Sequence, residues 1–171
     1  IASCLVGSEM CIRDRFLYLL GILMHPDNAE LPFPLVLTGP KSAEPYLQQL
    51  HDFIGATLGS EAQKRYVLIP NDPAEVARHM AAGIKAVKQF RRERNDAFHF
   101  NWLLKIDESF QHPFEPTHEA MASLNLTREQ PVHELAANLR RAFSGIVAGN
   151  VKAHGIQLIE EHGPYELRGD K

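Results

Sequence analysis

The sequence predicts an α/β fold, in which the C-terminal part of a doubly wound, Rossmann-like parallel sheet is followed by a mostly helical C-terminal extension. Two continuous apolar runs, 33–37 and 66–69, are typical of central parallel strands covered on both faces. Helical patterns precede, separate and follow these runs, which is the alternation of a doubly wound sheet. We therefore expect three parts: a non-native or disordered arm at 1–15, an α/β domain at 16–94 and the extension at 95–171.

The first fifteen residues, IASCLVGSEMCIRDR, show neither the alternation of a strand nor the apolar stripe of a helix. They also lack the basic start and long apolar core of a signal peptide. The string resembles junk translations at the edges of assembled environmental sequences, and a disordered native arm is the alternative. Leaving it out removes Cys4 and Cys11, the only cysteines. No disulfide framework is then expected, which suits a reducing cytoplasm.

Turn and cap residues predict where the helices of the α/β domain begin and end. Residues 16–24 are apolar almost all round, so they predict a buried helix that Pro26 ends. Ser42 is the predicted N-cap of a second helix, which Gly59 stops. Asp72 to Glu75 has capping-box spacing with proline at the first helical position. The helix that follows carries apolar residues at helical spacing: Val76, Met80, Ile84, Val87 and Phe90.

The extension begins with an alternating segment, 96–106, that predicts a strand with one buried face. Thr117 is the predicted N-cap of a short helix around Met121. Residues 127–130 again have capping-box spacing, ahead of a long helix that runs towards His162. Three glycines interrupt that helix: Gly145, Gly149 and Gly155. Each costs about 1 kcal/mol relative to alanine, and we prefer close packing to a kink or a ligand as the reason.

Polar residues follow both predicted strands. Thr38, Gly39 and Lys41 come after the first strand, and Asn71 and Asp72 come after the second. Ligands of open α/β sheets bind at the carboxyl ends of the strands, so either group could border a site. Ordinary strand-to-helix turns are the alternative for each group.

Charge and composition exclude several classes of function. The chain has 18 Lys and Arg against 21 Asp and Glu, a net charge of −3, which argues against a general nucleic-acid or membrane-surface binder. The nine histidines are scattered. His112, His118 and Glu119 come nearest to a cluster, but polar loop residues explain them better than a zinc site. We expect no metal and no cofactor.

Several blocks of the chain resemble the long bacterial pyrimidine/purine nucleotide 5′-monophosphate nucleosidases of the Lonely Guy (LOG) group. In order, the blocks are FLYLLGILMHP, PFPLVLTGPK, DPAEVARHM, DAFHFNW, PFEPTHEAMA, LRRAFSGIVAGNVK and GIQLIEEHGPYELRGDK. They cover the chain from Phe16 to Lys171. The block LRRAFSGIVAGNVK belongs to the C-terminal extension, which the short, cytokinin-releasing LOG enzymes lack.

The resemblance implies a hydrolase of nucleoside 5′-monophosphates that releases free base and ribose 5-phosphate. Residues 16–94 would be the tail half of the LOG-like nucleotide-binding domain, and 95–171 the truncated extension. The parent protein would be a cytoplasmic homo-oligomer. The alternatives are a cytokinin-monophosphate phosphoribohydrolase of the LOG group and a non-catalytic nucleotide-sensing module.

The family's Gly-Gly-x-Gly-Thr phosphate loop and catalytic glutamate would lie just before Phe16. Asp14 and Arg15 stand at the glutamate positions, and we do not assign the catalytic role to Asp14. The resemblance therefore implies that the chain is an inactive fragment. The apolar helix at 16–24 would be exposed in it, which predicts poor solubility.

The resemblance also suggests binding residues. An arginine at the position of Arg91 is implicated in holding the alarmone (p)ppGpp, and Arg92 adjoins it. A solvated helix end, favoured by the helix dipole, is the alternative. Glu115, His118 and Glu119 lie in the extension near the family's cleft and would approach the nucleotide.

Arg140 and Arg141 form a basic pair in the predicted long helix. The pair could face a phosphate or a neighbouring subunit. A surface salt bridge is equally plausible.

Overall fold

The computed structural model describes residues 8–95 and 104–170. They divide into two compact units, a central unit of residues 23–95 and 104–105 and a terminal unit of residues 8–22 and 106–170. The described helices are α1 (Ser8–Leu23), α2 (Glu44–Leu58), α3 (Ser60–Gln63), α4 (Pro73–Glu93), α5 (Glu108–Gln111), α6 (His118–Ala122), α7 (Val132–Val151) and α8 (Ala153–His162). The described strands are β1 (Val36–Leu37), β2 (Val67–Leu68), β3 (Asn125–Leu126) and β4 (Arg168–Gly169).

The two predicted strands of the central unit pair in parallel, as expected. Val36 lies opposite Val67, and Leu37 opposite Leu68. Backbone hydrogen bonds extend the ladder at both ends, from Val67 N to Leu35 O (3.0 Å) and from Asn71 N to Gly39 O (2.9 Å). The regular strands are shorter than the apolar runs. The larger doubly wound sheet therefore remains a prediction, since β1 and β2 form a two-stranded sheet in the described residues.

Helix α2 ends at its predicted stop but does not begin at its predicted cap. Its buried residues are Leu47, Leu50, Ile54 and Leu58. Gly59 follows it with φ of 85°, a conformation that favours glycine. The prediction of Ser42 as N-cap is wrong, because a 3-10 turn at Lys41–Ala43 precedes the helix and no side chain caps it. Pro45, whose fixed φ suits the first helical turn, explains the later start.

Helix α4 begins as predicted, with the Asp72 carboxylate accepting a hydrogen bond from Glu75 N at 2.9 Å. Its apolar stripe is less buried than the pattern suggested. No residue of α4 is fully buried, and Ile84 is 49% exposed. The predicted strand at 96–106 lies mostly outside the described residues, and Leu104 to Ile106 form no regular strand.

A buried polar contact in the central unit joins two residues that are distant in sequence. Asn28, the buried polar residue of the described core, is fully inaccessible. Its Nδ2 donates to Lys105 O at 2.8 Å, and Lys105 N donates to its Oδ1 at 2.7 Å. Arg65 also donates to the backbone oxygens of Ala29 (2.8 Å) and Asn28 (3.3 Å). One side chain thus pairs with both backbone groups of a residue 77 positions away.

Tyr66 gives the central unit a pH-dependent element of stability. It is 6% exposed, and its Oη lies 2.8 Å from His51 Nδ1. Burial, and secondly the Asp52 carboxylate, raise the pKa of Tyr66 to about 12. Because the folded pKa exceeds the ordinary value of 10, this stabilisation is complete below pH 10 and is lost as the pH rises through 12.

We expect the wild-type chain to lose about 2 kcal/mol of unfolding free energy through Tyr66 between pH 10 and pH 12. Tyr66→Phe has no phenol to ionise, so its unfolding free energy should fall less over that range. At neutral pH the variant should be less stable by about 1 kcal/mol, because the hydrogen bond to His51 is lost. Urea unfolding at each pH measures both effects. Parallel declines in the two proteins would show that Tyr66 is not responsible.

The terminal unit contains the apolar helix, and two expectations about it are wrong. Helix α1 begins at Ser8, so part of the segment that showed no helical stripe is helical. Much of the apolar segment predicted at 16–24 is also covered, since Phe16, Leu17, Leu20 and Ile22 are at most 5% exposed. Phe110 supplies part of this cover, and a Cβ at Gly21 would lie 2.7 Å from its ring. Whether residues 1–15 are native stays a prediction.

The long C-terminal helix is two helices. Lys152, with ψ of 130°, separates α7 from α8. Residues 127–130 do not cap α7, because Pro131 stands at the N-cap position without a side-chain bond. Thr117, in contrast, caps α6 as predicted by accepting from Ala120 N at 3.1 Å. The buried residues of α7 are mostly small: Leu135, Ala136, Ala137, Ala142, Gly145, Ala148 and Gly149.

Close packing explains the three glycines, which is the reason that the sequence analysis favoured. Cβ atoms at Gly145, Gly149 and Gly155 would meet Met121, Ile159 and the Ala148 backbone respectively.

The parallel pair β3 and β4 was not predicted. It joins Asn125–Leu126 to Arg168–Gly169, and Arg128 N donates to Asp170 Oδ2 at 2.9 Å beside it. Of the helices in the described residues, none is both long and apolar enough to cross a membrane.

Candidate functional site

The strand-end groups of the central unit lie side by side. Asn71 N donates to Gly39 O at 2.9 Å, so the turns after β1 and β2 meet at one edge of the pair. Thr38 and Lys41 are exposed at this edge. We call the segments 38–41 and 71–72 together the strand-end edge. The sequence predicted each half, and the parallel pairing brings them together.

Helix α4 starts at the strand-end edge and gives it a positive pole. The helix has 21 residues, and its N-terminal amides carry partial positive charge that favours anions. The Asp72 carboxylate is already engaged in capping this helix. Asn71 adopts a positive φ of 52°, which turns the chain sharply from strand into helix. Backbone amides with the exposed Thr38 and Lys41 are therefore the groups that this edge offers to a ligand.

Arg91 and Arg92 are at the other end of α4. They lie in its last turn, about 27 Å along the axis from Pro73 at 1.5 Å per residue. Arg91 is half-buried, whereas Arg92 is exposed. The neighbouring Arg94 pairs with Glu30 at 3.0 Å, and its guanidinium lies 4.3 Å from the Phe90 ring centre. The structure therefore separates the predicted effector residues from the strand-end edge.

The predicted substrate-proximal residues of the extension lie in the terminal unit. Glu115 and Glu119 are exposed, and Glu119 stands in the first turn of α6. His118 has a structural partner, because its Nε2 donates to Gly163 O at 2.8 Å. Its ring also packs against the Tyr165 ring, with centres 4.8 Å apart. His118 therefore joins α6 to the turn after α8 by a side-chain hydrogen bond.

The Arg140 side chain lies against α1. Its Nε is 3.7 Å from Asp14 Oδ1, and the two side chains are 21% and 30% exposed. Its guanidinium lies 5.0 Å from the centre of the Tyr18 ring. Burial raises the pKa of Asp14, while Arg140 and then Arg15 oppose that rise. The pair is thus a largely desolvated contact rather than a surface salt bridge.

Arg141, the next residue of α7, makes a different contact from that of Arg140. It donates from a guanidinium nitrogen to Asn138 Oδ1 at 3.3 Å, within the same helix. Burial, and secondly Arg140, lower its pKa. The predicted basic pair therefore splits into two separate contacts. Periodicity alone gives no signal for the partner of Arg140, because Asp14 is 126 positions earlier in the sequence.

An edge formed by the carboxyl ends of parallel strands, at the start of a helix, is where α/β proteins bind their ligands. The chain belongs to the pyrimidine/purine nucleotide monophosphate nucleosidase family. The sequence model described as "Pyrimidine/purine nucleotide monophosphate nucleosidase, C-terminal" matches residues 84–171.

Relatives from three strains extend the match over most of the chain. They are the pyrimidine/purine nucleotide 5′-monophosphate nucleosidases of Escherichia coli K12, O6:H1 (strain CFT073) and O157:H7. Each is 54% identical over 158 residues, which cover 92% of this chain. The chain spans 35% of the length of these curated relatives.

Proposed function

We propose that this chain is part of a nucleotide 5′-monophosphate nucleosidase. Water would replace the base at C1 of the sugar, giving free base and ribose 5-phosphate. The observation that carries the proposal is the 54% identity over 158 residues to the Escherichia coli nucleosidases. At that identity over 92% of the chain, we expect the same reaction class.

The strand-end edge supports a nucleotide-binding role for the central unit. We propose that β1 and β2 are neighbouring strands of a doubly wound, Rossmann-like sheet. Thr38, Gly39 and Lys41 would then stand near the nucleotide, and the start of α4 would favour its phosphate. In the extension, Glu115 and Glu119 are exposed and remain proposed neighbours of the substrate. His118 is a weaker candidate because Gly163 already engages its ring.

The chemistry itself is assigned to residues outside this sequence. The printed sequence contains no Gly-Gly-x-Gly-Thr run. A nucleosidase needs a phosphate cradle and a carboxylate that stabilises an oxocarbenium-like sugar or positions water. We therefore propose that the 171-residue chain is inactive alone. We also propose that the whole protein is a cytoplasmic homo-oligomer.

Regulation by (p)ppGpp is a further part of the proposal. A pyrophosphate is well matched by the fork of an arginine guanidinium. Arg91 and Arg92 stand together in the last turn of α4, with Lys85 and Lys88 one to two turns earlier. The half-burial of Arg91 favours a held, oriented side chain over a fully solvated one.

The test is an assay of the whole protein, expressed from the source gene with its upstream coding sequence, beside the 171-residue chain. We expect release of base from AMP and GMP by the whole protein, and none by the chain. Preference for isopentenyladenosine monophosphate would instead indicate the cytokinin enzyme. Tight (p)ppGpp binding without hydrolysis would indicate a sensing module.

The same protein tests the effector residues. Arg91→Ala should weaken (p)ppGpp binding about tenfold or more, because a bidentate contact to pyrophosphate is lost. Arg78→Ala is the matched control, since Arg78 is an exposed arginine of α4 paired with Glu75. Unchanged affinity in Arg91→Ala would remove this residue from the effector site.

A further inference from the structure

We propose that α8 is a contact surface for a second copy of this chain, with the two α8 helices packed antiparallel about a two-fold axis at Ile156. Ile156 is 37% exposed, although it stands inside a helix of ten residues. Val151, which ends α7 just before α8, is 72% exposed. Single exposed apolar side chains are common and identify no partner. The charges around Ile156 identify it.

Two opposite charges flank Ile156 along α8. Ile156 N donates to Lys152 O at 2.9 Å, so Lys152 stands one turn before Ile156. Glu160 stands one turn after it, and residues four apart are neighbours on a helix surface. Both charged residues are exposed, and in the described part of the chain neither side chain makes a hydrogen bond or an ion pair. They are about 12 Å apart along the axis, which is too far to pair with each other.

These two charges oppose the dipole of their own helix. Lys152 is at the positive N-terminal end of α8, and Glu160 is in the last turn, at the negative end. A single helix favours the reverse order. In an antiparallel pair, Lys152 lies beside the negative end of the other helix, and Glu160 beside its positive end. The arrangement that is unfavourable in one copy is therefore favourable in two.

Antiparallel packing about Ile156 also brings the charges into register. Lys152 and Glu160 are each four residues from Ile156, about 6 Å along the axis. With Ile156 at the two-fold axis, Lys152 of one copy is level with Glu160 of the other, and symmetry makes the pair twice. Packed helices are about 8–10 Å apart, which these long side chains can span. Parallel packing would place lysine against lysine, so the charges determine the direction of packing.

The exposed apolar residue of α4 offers no such match. Ile84 is 49% exposed, with Lys88 one turn after it and the uncharged Met80 one turn before it. A second copy packed antiparallel about Ile84 would give Lys88 no acidic partner. The self-complementary pattern of charge, apolar residue and opposite charge is on α8.

The contact is small, so we expect weak association. Two helices of ten residues bury less than the roughly 1,200 Å² of a standard protein interface. We therefore expect a dissociation constant of about 100 µM. The proposal adds a surface to the homo-oligomer proposed above but does not rest on it. A monomeric chain would leave the homo-oligomer of the whole protein untouched, because other surfaces could form it.

Sedimentation equilibrium of the 171-residue chain, from about 10 µM to about 1 mM, tests the proposal. We expect a monomer–dimer equilibrium that weakens at high salt, because exposed ion pairs are screened. A chain that stays monomeric at about 1 mM would overturn the proposal, and the face would then belong to another partner. A dimer whose affinity is unchanged by salt would contradict the role of the charges.

Charge reversal locates the contact. Lys152→Glu and Glu160→Lys should each weaken the dimer about tenfold or more, because two attractions become repulsions. Both changes suit the dipole of α8, so neither should unfold the chain. The two changes together in one chain should restore the dimer, and an equal mixture of the two single variants should form a mixed dimer. A structural defect would give neither rescue.

Glu161→Lys is the matched control for Glu160→Lys. Glu161 is the next residue of α8 and is also exposed, but it accepts a hydrogen bond from Gln157 at 2.8 Å, away from the row that contains Ile156. It should change the dissociation constant by about twofold or less. A dimer that survives Lys152→Glu, or a double variant that stays monomeric, contradicts the assignment of α8.

Discussion

Asn28→Asp is expected to destabilise the central unit by about 3 kcal/mol at neutral pH. The substitution keeps the shape of the side chain but replaces the Nδ2 donor by an oxygen. That oxygen would lie 2.8 Å from the Lys105 carbonyl oxygen, at a residue with no solvent access. The hydrogen bond becomes a repulsion between two oxygens, and a carboxylate is buried. Urea unfolding followed by circular dichroism measures the loss.

Asn150→Asp is the matched control. Its Nδ2 also donates to a backbone carbonyl, Ile146 O, at 2.7 Å, but the residue is exposed. Water can replace that bond, so we expect a loss of about 0.5 kcal/mol or less. The Asn28→Asp loss should shrink in acid, because a protonated carboxyl can again donate to Lys105 O. Equal losses in the two variants would contradict the role given to Asn28.

Gly155→Ala is expected to destabilise the terminal unit by about 3 kcal/mol. In an ordinary helix interior, glycine to alanine gains about 1 kcal/mol, so the expected sign is reversed. A Cβ at Gly155 would collide with Ala148 O, and it would lie 2.7 Å from Ala148 C and 3.0 Å from Gly149 N. These are backbone atoms, so no side-chain rotation can relieve the overlap. The approach of α8 to α7 would have to widen.

Gly145→Ala provides the comparison for Gly155→Ala. Its Cβ would meet the Met121 side chain, with Cε at 2.6 Å. The far end of a methionine can rotate, although Met121 is fully buried, so we expect a smaller loss of about 1 kcal/mol. Thermal unfolding of both variants gives the order. A gain in stability for Gly155→Ala would show that α7 and α8 do not pack this closely.

Local signals in the sequence predicted much of the central unit. The apolar runs predicted the parallel pair β1 and β2, and Gly59 predicted the end of α2. The predicted cap at Asp72 was also correct, as was the cap at Thr117 in the terminal unit. Ser42 failed as a cap because Pro45 favours a later helix start. Capping and turn formation depend on a few neighbouring residues, so they can be read without knowing the fold.

The sequence predicted individual residues of the candidate site but not how they come together. Thr38, Gly39 and Lys41 could be proposed from their position after a strand, because ligands gather at such ends. That Asn71 stands beside Gly39 required the strand pairing. The ring of His118 is engaged by Gly163, 45 residues away, and no spacing rule indicates such a contact.

By itself, the sequence determined the helix stops, the two strands and the resemblance that the family match confirmed. Only the tertiary structure decided which polar groups meet. Asn28 bonds to Lys105 across 77 positions, and Arg140 pairs with Asp14 across the chain. It also showed that the apolar helix α1 is covered and that a small-residue face of α7 is buried. The physical reason is that periodicity reports which side of an element is apolar, whereas partners are chosen by packing between elements distant in sequence.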